Sequence, residues 1–586
     1  MLALIALLHA AAMLKSTPVI LVCLLIAFNL LDAIAYASPS RPQLHCECLP
    51  SQPCWPNAAS WTALNRTVGG RLIATHPILY ECHDPNFDNA ACGRIKYFNN
   101  DQWRLLQPSA LQVPNWEQDE GKGCLGFNKS TPCHQGAVPL YTVKANTVLD
   151  VQETIKFAAK HNIRLVVKNT GHDFLGRSSG ASSLSLWVFN NKDISFDDKF
   201  VPIGANEDTN GTTAIILGPG VVWKDVYKSA DKHKVVVPGT TSTVGATGGY
   251  CQGGGYSPLS TTYGLCADNV LQYKVVVADG SFKIANAHQN MALFWALRGG
   301  GGGTFGVVVE AVYRTFPAMD GINMALWDLS FLGNKPKSVI FKQWLSLQAN
   351  LTERGWSGTS FFTDKSLKLQ YFQPNSNKDR LSIDYFLRSI NSIPGIFAWG
   401  SVGHFPTFWS AFQAYNPHDY HGIENRLVAS RLLPREKFET PDGIKELTDV
   451  LLKAQDRIRG EGNPKAEIIM HTVAGGVVAD GNDDETCVHP AWRKALATIG
   501  TFASWTGDQP LEKQQEYSRN LTSTVQLWRD ITPGSGTYSN EGDVNEPDWQ
   551  ENFFGTNYPF LKKIKRMVDP HGLFVCRKSA SLALFY

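Results

Sequence analysis

The chain has 586 residues, too many for one hydrophobic core, so two or three domains are expected. Hydrophobic residues make up 43% and aromatics 11%, globular values that exclude a disordered or fibrous chain. A formal charge of +2 supplies no field that would draw a nucleic acid, and none is expected as a partner.

The first 37 residues stand apart. Residues 2–13 are apolar except for His9, Lys15 carries the one full positive charge, and residues 19–31 are apolar again. Ala35-Tyr36-Ala37 then offers a small-x-small cleavage site, so residues 1–37 read as a secretory signal peptide and the mature chain as starting at Ser38. Met13 is an alternative start. An uncleaved anchor is the rival, but each apolar run is short for a membrane span, and Asn29 and Asp32 interrupt or end the second. The expectation is a secreted monomer with no stable membrane association after cleavage.

Seven of the 12 cysteines follow at once, between Cys46 and Cys133. In a secreted chain this reads as a disulfide-stapled segment over 38–135, with Cys124 and Cys133 as the expected local pair. No spaced second pair completes a zinc site around Cys46 and Cys48, so no metal is expected. Sequons at Asn65, Asn128, Asn210, Asn350 and Asn520 permit glycosylation.

Residues 138–143 read as a strand. The period over 147–162 predicts a helix capped by Thr147 or Asp150, with Val148, Val151 and Ile155 on one face. A strand over 164–168 then runs into a loop dense in Gly, Ser and Thr, with His172 at its centre. Small residues let backbone N–H groups converge, which suits a pyrophosphate held without a lysine clamp. Short β-rich runs at 213–217, 235–237, 273–278 and 307–313 alternate with helical patterns at 222–233 and 291–297. Between them lie two further loops, 238–249 and 253–270, nearly uncharged and rich in backbone donors. Residues 298–306 contain GxGxxG as Gly301, Gly303 and Gly306. A helix precedes this stretch and a β-branched run follows, the reverse of a Rossmann turn, so a nicotinamide cofactor is rejected. Residues 319–535 carry longer aromatic-rich segments, among them 326–331 and 360–372 and helices at 337–351 and 443–459. From Tyr538 the chain turns compact and polar-aromatic, and is expected to return to the first domain.

The loop around His172, the stretch from Gly239 to Val270, and the tail from Tyr538 through Asn540, Glu541 and Trp549 to Pro570 together resemble the vanillyl-alcohol-oxidase and berberine-bridge-enzyme superfamily. The resemblance covers roughly residues 136–580. It implies an α+β fold with a two-part FAD-binding domain of the PCMH type over 136–318. A substrate domain over 319–535 would hold an antiparallel sheet backed by helices, and a berberine-bridge-type segment would span 536–586. It implies FAD bound covalently through His172. Its other contacts would come from Thr170, Gly171, Asp173, Gly176, Ser178, Ser179, Gly239, Thr240, Thr243, Gly245, Gly248, Gly249, Gly255, Ser257, Leu259, Gly264, Asp268, Val270, Val277 and Asn540. Relatives with a second flavin link carry Cys where this chain has Gly239-Thr240-Thr241-Ser242, so a single link is expected. Cys251 and Cys266 would then be a core pair or buried thiols, and Tyr256 stands where relatives often have His. By the same resemblance Tyr538 is the candidate base, provided its surroundings lower its pKa, with a buried Tyr whose hydroxyl only pins the tail as the competing role. The implied activity is hydride transfer from an alcohol or amine carbon of a small molecule to FAD, with O2 as final acceptor and H2O2 as product. A flavin-bearing binding protein, an O2-insensitive dehydrogenase and a carbohydrate oxidase are the alternatives. Trp399, His404, Phe408 and Trp409 are suspects for a ring-bearing or hydrophobic substrate, with core packing as the competing role.

Overall fold

The structure is a computed structural model that describes residues 47–375, 393–415, 423–460 and 467–580, together with Ile383, Leu387 and Ile390. The signal-peptide reading of residues 1–37 lies outside the described residues, as do Cys23 and Cys46.

Thr147 caps the helix Val148–His161 in a capping box: its hydroxyl takes the N–H of Asp150, whose carboxyl takes the N–H of Thr147. That helix connects strand Tyr141–Lys144 to strand Leu165–Lys168, and both pair in parallel with Leu184–Trp187 between them. Strand Leu72–Ala74 adds to the edge antiparallel. Parallel strands need such a crossover, and the helix buries Val151, Ile155 and Ala158 against the sheet.

A second sheet is antiparallel, in the spatial order Ile194–Phe200, Thr212–Leu217, Val307–Arg314, Val270–Val276, Phe282–Asn286. Helix Met291–Ala296 precedes the glycine run and strand Val307–Arg314 follows it, the order that excluded a Rossmann turn.

The third sheet has seven antiparallel strands among the described residues: Ile396–Phe405, Ile322–Phe331, Ser366–Pro374, Ser357–Phe362, Ile468–Thr472, Ala495–Trp505 and Asn425–Pro434. Residues 360–372, read from sequence as one segment, fold into a hairpin closed at Thr363 and Ser366. Alternation divides the faces. Phe362, Ile468, Met470, Ala497 and Ile499 pack under helices Asn334–Glu353, Pro441–Gly460 and Leu511–Ile531, while Phe361, Ile469, His471 and Thr498 line a chamber on the other side. Trp344 is wholly buried in the helix layer, where its indole N–H donates to Ser360 Oγ at 2.8 Å.

The tail returns to the first sheet as expected. Phe574 bridges to Leu165, and buried Lys565 donates to Asp569 Oδ2 and to the carbonyls of Phe574 (both 2.6 Å) and Thr304. Among the described residues four disulfides form: Cys48–Cys54, Cys82–Cys92, Cys124–Cys133 and Cys251–Cys266, the last resolving the open choice between a core pair and buried thiols. Cys487 and Cys576 form no disulfide among the described residues. Among the described residues no helix is long and apolar enough to cross a membrane, and no cluster of side chains could hold a metal ion. Peptide mapping without reduction is expected to recover Cys124 joined to Cys133 and Cys251 joined to Cys266. Free thiols at either pair would contradict this arrangement.

Candidate active site

Strand Leu165–Lys168 ends in a loop that its own side chains shape. Asp173 Oδ1 accepts from the N–H of Leu175 (3.0 Å) and Oδ2 from that of Ser178 (2.7 Å), closing a tight turn after His172. Gly171 sits at φ +78°, and a Cβ there would lie 3.2 Å from Ala110 O and from Leu111, so the loop lies flat on the Cys-rich segment. Its carbonyl accepts from Gln112 N–H at 2.9 Å.

This loop, the 240–249 loop and the glycine run at 302–306 wall a cavity. Of the residues expected from sequence, Thr170, Gly171, His172, Asp173, Ser178, Thr240, Gly245, Gly248, Gly249, Tyr538 and Asn540 line it. The others lie behind the wall. Gly176 lies under the Trp116 ring and Gly239 against Trp223, at approaches a Cβ would forbid. The Ser179 hydroxyl donates to Ala137 O, and Ser257 Oγ accepts from the N–H of Leu259. Gly255 rests on Cys266 and Tyr250, and Gly264 ends a short helix with φ +82°. Asp268 pairs with Arg493 at 2.7 Å, while Leu259, Val270 and Val277 are core. Thr243 faces the neighbouring chamber. These residues brace the loops that the lining residues belong to.

Three features of the cavity fit FAD. Buried Asn169 Oδ1 and Gln252 Oε1 face it with no hydrogen-bond partner among the described residues, two acceptors suited to ring or amine N–H groups. A Cβ on Gly249 would meet nothing within 4 Å, so that backbone borders open space. Arg177, which the sequence reading passed over, brings a guanidinium to the wall. It donates to the carbonyls of Arg577 (3.1 Å) and Ser539 (3.4 Å) and so ties the tail to the loop. It would also give the diphosphate a positive charge.

The chamber over the large sheet has mainly apolar walls, with Phe174, Phe361, Phe372, Phe408, Phe412 and Phe502 among them. Of the aromatic suspects only Phe408 faces it. Trp399 lies on the edge strand and is 68% exposed, the His404 ring bonds Asn323 (3.1 Å), and Trp409 faces a separate recess. Strand position explains the miss for Trp399, since an edge strand has no neighbour beyond it to bury its ring.

Cavity and chamber share His172, Phe174, Thr240, Tyr256 and Glu541. At this junction the Tyr256 hydroxyl donates to Glu541 Oε1 at 2.8 Å, and Tyr538 stands edge-on to Tyr256. Burial raises the Glu541 carboxyl to about 7, and the Tyr256 bond holds it down in part. Tyr538 goes the other way from its expected role: burial and the charge of Glu541 push its pKa further up, and Asn540 donates to its oxygen at 2.8 Å. His471, whose Nδ1 lies 2.9 Å from Thr359 Oγ1, is held down to about 4 by burial and stays neutral at pH 7. Glu541 stood inside the tail motif, but its titration depends on Tyr256, 285 residues away.

Such a cavity beside an apolar chamber defines a flavoprotein oxidoreductase. Residues 139–286 match the FAD binding domain family and residues 537–580 the family described as berberine and berberine like. The chain belongs to the FAD-linked oxidoreductases of this berberine-type family. An uncharacterized FAD-linked oxidoreductase of Arthroderma benhamiae is 38% identical over 568 residues, covering 92% of this chain and 94% of that protein. Flavin-dependent oxygenase ucdF of Aspergillus ustus is 34% identical, over 88% of this chain and 96% of its own length. The VAO-type flavoprotein MtVAO615 of Myceliophthora thermophila C1 superposes with a TM-score of 0.82 at 31% identity, over 91% of this chain and 97% of that one. Berberine bridge enzyme of Eschscholzia californica, 16% identical, shares the fold with a TM-score of 0.66, over 90% of this chain and all of that one.

Because Gly249 borders open space, Gly249→Leu is expected to fold with a far-UV circular dichroism spectrum like wild type while its bound flavin falls sharply and its melting temperature falls with it. Full flavin content in that variant, read from the absorbance ratio of flavin to protein, would place the cofactor elsewhere.

Proposed function

We propose that this chain is a secreted oxidase that takes a hydride from an alcohol or amine carbon of a small, ring-bearing or otherwise apolar molecule. One observation carries the reading: the Glu541 carboxyl borders both the cofactor cavity and the aromatic chamber, so a base meets both reactants. In this proposal residues 136–318 and the tail hold the cofactor, residues 319–535 supply most of the chamber, and His172 alone bonds the flavin. FAD bound there supplies the two-electron acceptor, with electrons passing on to O2 to give H2O2. The lining residues named above would hold it, with Arg177 against its phosphates. Secretion is supported by the four disulfides, which belong to oxidising compartments.

The chain's own part is to orient and to move a proton. The phenylalanine walls favour an apolar substrate over a sugar, which would need polar partners for each hydroxyl. Ionised Glu541 accepts the substrate's hydroxyl or ammonium proton. Tyr538 is assigned to holding the substrate heteroatom rather than to removing its proton, because its raised pKa keeps it protonated at neutral pH. Tyr256 keeps Glu541 oriented.

Peroxide release from aryl alcohols and benzylamines, and not from sugars, is the expected outcome of a substrate panel. Reduction without peroxide in air would make the protein a dehydrogenase, and no reduction by any compound would leave a binding protein. Acid-denatured wild type should retain flavin on the peptide containing His172, and free FAD in the supernatant would defeat the covalent link. With a benzyl alcohol that reduces the flavin, the rate should rise about tenfold per pH unit below about 7 and level off above, because only ionised Glu541 is a base. Tyr256→Phe removes a bond that lowers the Glu541 pKa, so this limb should move to higher pH. Glu541→Gln should slow reduction by on the order of 10²- to 10⁴-fold with flavin still bound. A wild-type rate in that variant would remove Glu541 from the mechanism.

A further inference from the structure

The Cys-rich segment reaches the His172 ring through a buried side chain. Gln112 is 7% exposed, and its backbone N–H already donates to Gly171 O in the His172 loop. Its amide Nε2 donates to the carbonyl of Thr243 at 3.2 Å. A carbonyl can only accept, so this bond decides which way the amide faces. Oε1 therefore points at the imidazole, 3.0 Å from His172 Nδ1, and the ring must present an N–H to it. Thr243 Oγ1 braces the same atom from 3.1 Å and stands 3.3 Å from Oδ2 of buried Asp101, its single proton serving one or the other. Asp101 caps its own end of this chain by accepting from Gln102 N–H at 2.9 Å. The line Asp101–Thr243–Gln112–His172 thus joins three stretches of chain, one of which, carrying Asp101 and Gln112, lies outside the flavin motifs.

We propose that Gln112 is the positioning residue for flavin attachment, its amide oxygen fixing the rotation and tautomer of His172, with Thr243 and Asp101 holding the amide in place. This rests on the reading that His172 carries the flavin. Attachment forms a bond between an imidazole nitrogen and the carbon of the flavin 8-methyl group. The methyl carbon and the imidazole each lose one proton. The two electrons released reduce the flavin ring system, and O2 then takes them with two protons to give H2O2. A ring free to rotate or to exchange tautomers meets that carbon in the reactive geometry far less often, and a displacement of about 1 Å is worth on the order of 10²-fold in rate. The fold around the loop does not need this contact to close, because Asp173 shapes the turn and the Gln112 main chain holds Gly171 whatever side chain stands there.

The test follows acid-stable flavin with time after FAD is added to protein produced under flavin limitation, and needs no substrate. Gln112→Leu fills the space without an acceptor and is expected to bind FAD with an unchanged melting temperature while attachment slows on the order of 10²-fold. Gln112→Glu keeps an acceptor oxygen at the same reach and should restore attachment to near the wild-type rate, which packing alone would not distinguish from leucine. Thr243→Val retains the shape and removes only the brace, so it should slow attachment in the same direction. It also keeps the test open should the leucine variant fail to fold. Wild-type attachment in Gln112→Leu, equal loss in the leucine and glutamate variants, or an unaffected Thr243→Val would each overturn the proposal. Acid-labile flavin in wild type would overturn instead the reading on which it rests.

Discussion

A cavity bordered by the His172 loop, residues 240–249 and the glycines at 302–306 is the constraint on which the rest of this structure depends. Protein interiors pack as densely as organic crystals, and an unfilled cavity forfeits contacts along its walls. The loops that border it carry glycines where side chains would otherwise close it, so the gap is built in. A ligand that fills it stabilises the folded state by mass action, and FAD content and stability should therefore move together. The supports around the cavity fit that role: buried Lys565 ties the tail to Thr304, Arg177 ties it to the His172 loop, and Trp116 covers Gly176.

From that cavity the chemistry passes to the large sheet by simple alternation. One face of each strand sits under three helices, which leaves the other face for the chamber, and the strands Ser357–Phe362 and Ile468–Thr472 present Phe361, Ile469 and His471 there. The tail crosses the seam between the two compartments and leaves Glu541 on it, beside Tyr256 from the 253–270 loop. The carboxyl rises because it is enclosed, and it rises only to about 7 because the phenol holds it. A base poised there is ionised in half or more of the molecules at neutral pH and above, where a buried tyrosine would stay protonated.

Backbone-rich features were legible in the sequence, and side-chain partnerships across long separations were not. Thr147 and Asp150 announced their helix, because a capping box is local. The glycines at 301–306 could be told from a Rossmann turn, since the order of helix and strand is written in the residue pattern. The cradle around His172 was visible as small residues, although the pattern could not separate Gly245 and Gly249, which face the cavity, from Gly239 and Gly176, which back onto Trp223 and Trp116. Gln112 gave no signal at all: an ordinary residue in a cysteine-rich stretch, it acquires its place only when Thr243, 131 residues on, comes to meet it. Trp399 shows the converse, an aromatic in a promising cluster that the edge of the sheet turns out to solvent.

The account centres on a single seam where cofactor, substrate and base meet, and a crystal structure of the flavin-loaded protein tests it most directly. The account predicts density for the flavin ring between the His172 loop and residues 245–249, continuous with the His172 side chain, with the Glu541 carboxyl facing the phenylalanine-walled chamber. Flavin density elsewhere, or a Glu541 side chain turned away from both compartments, would contradict it.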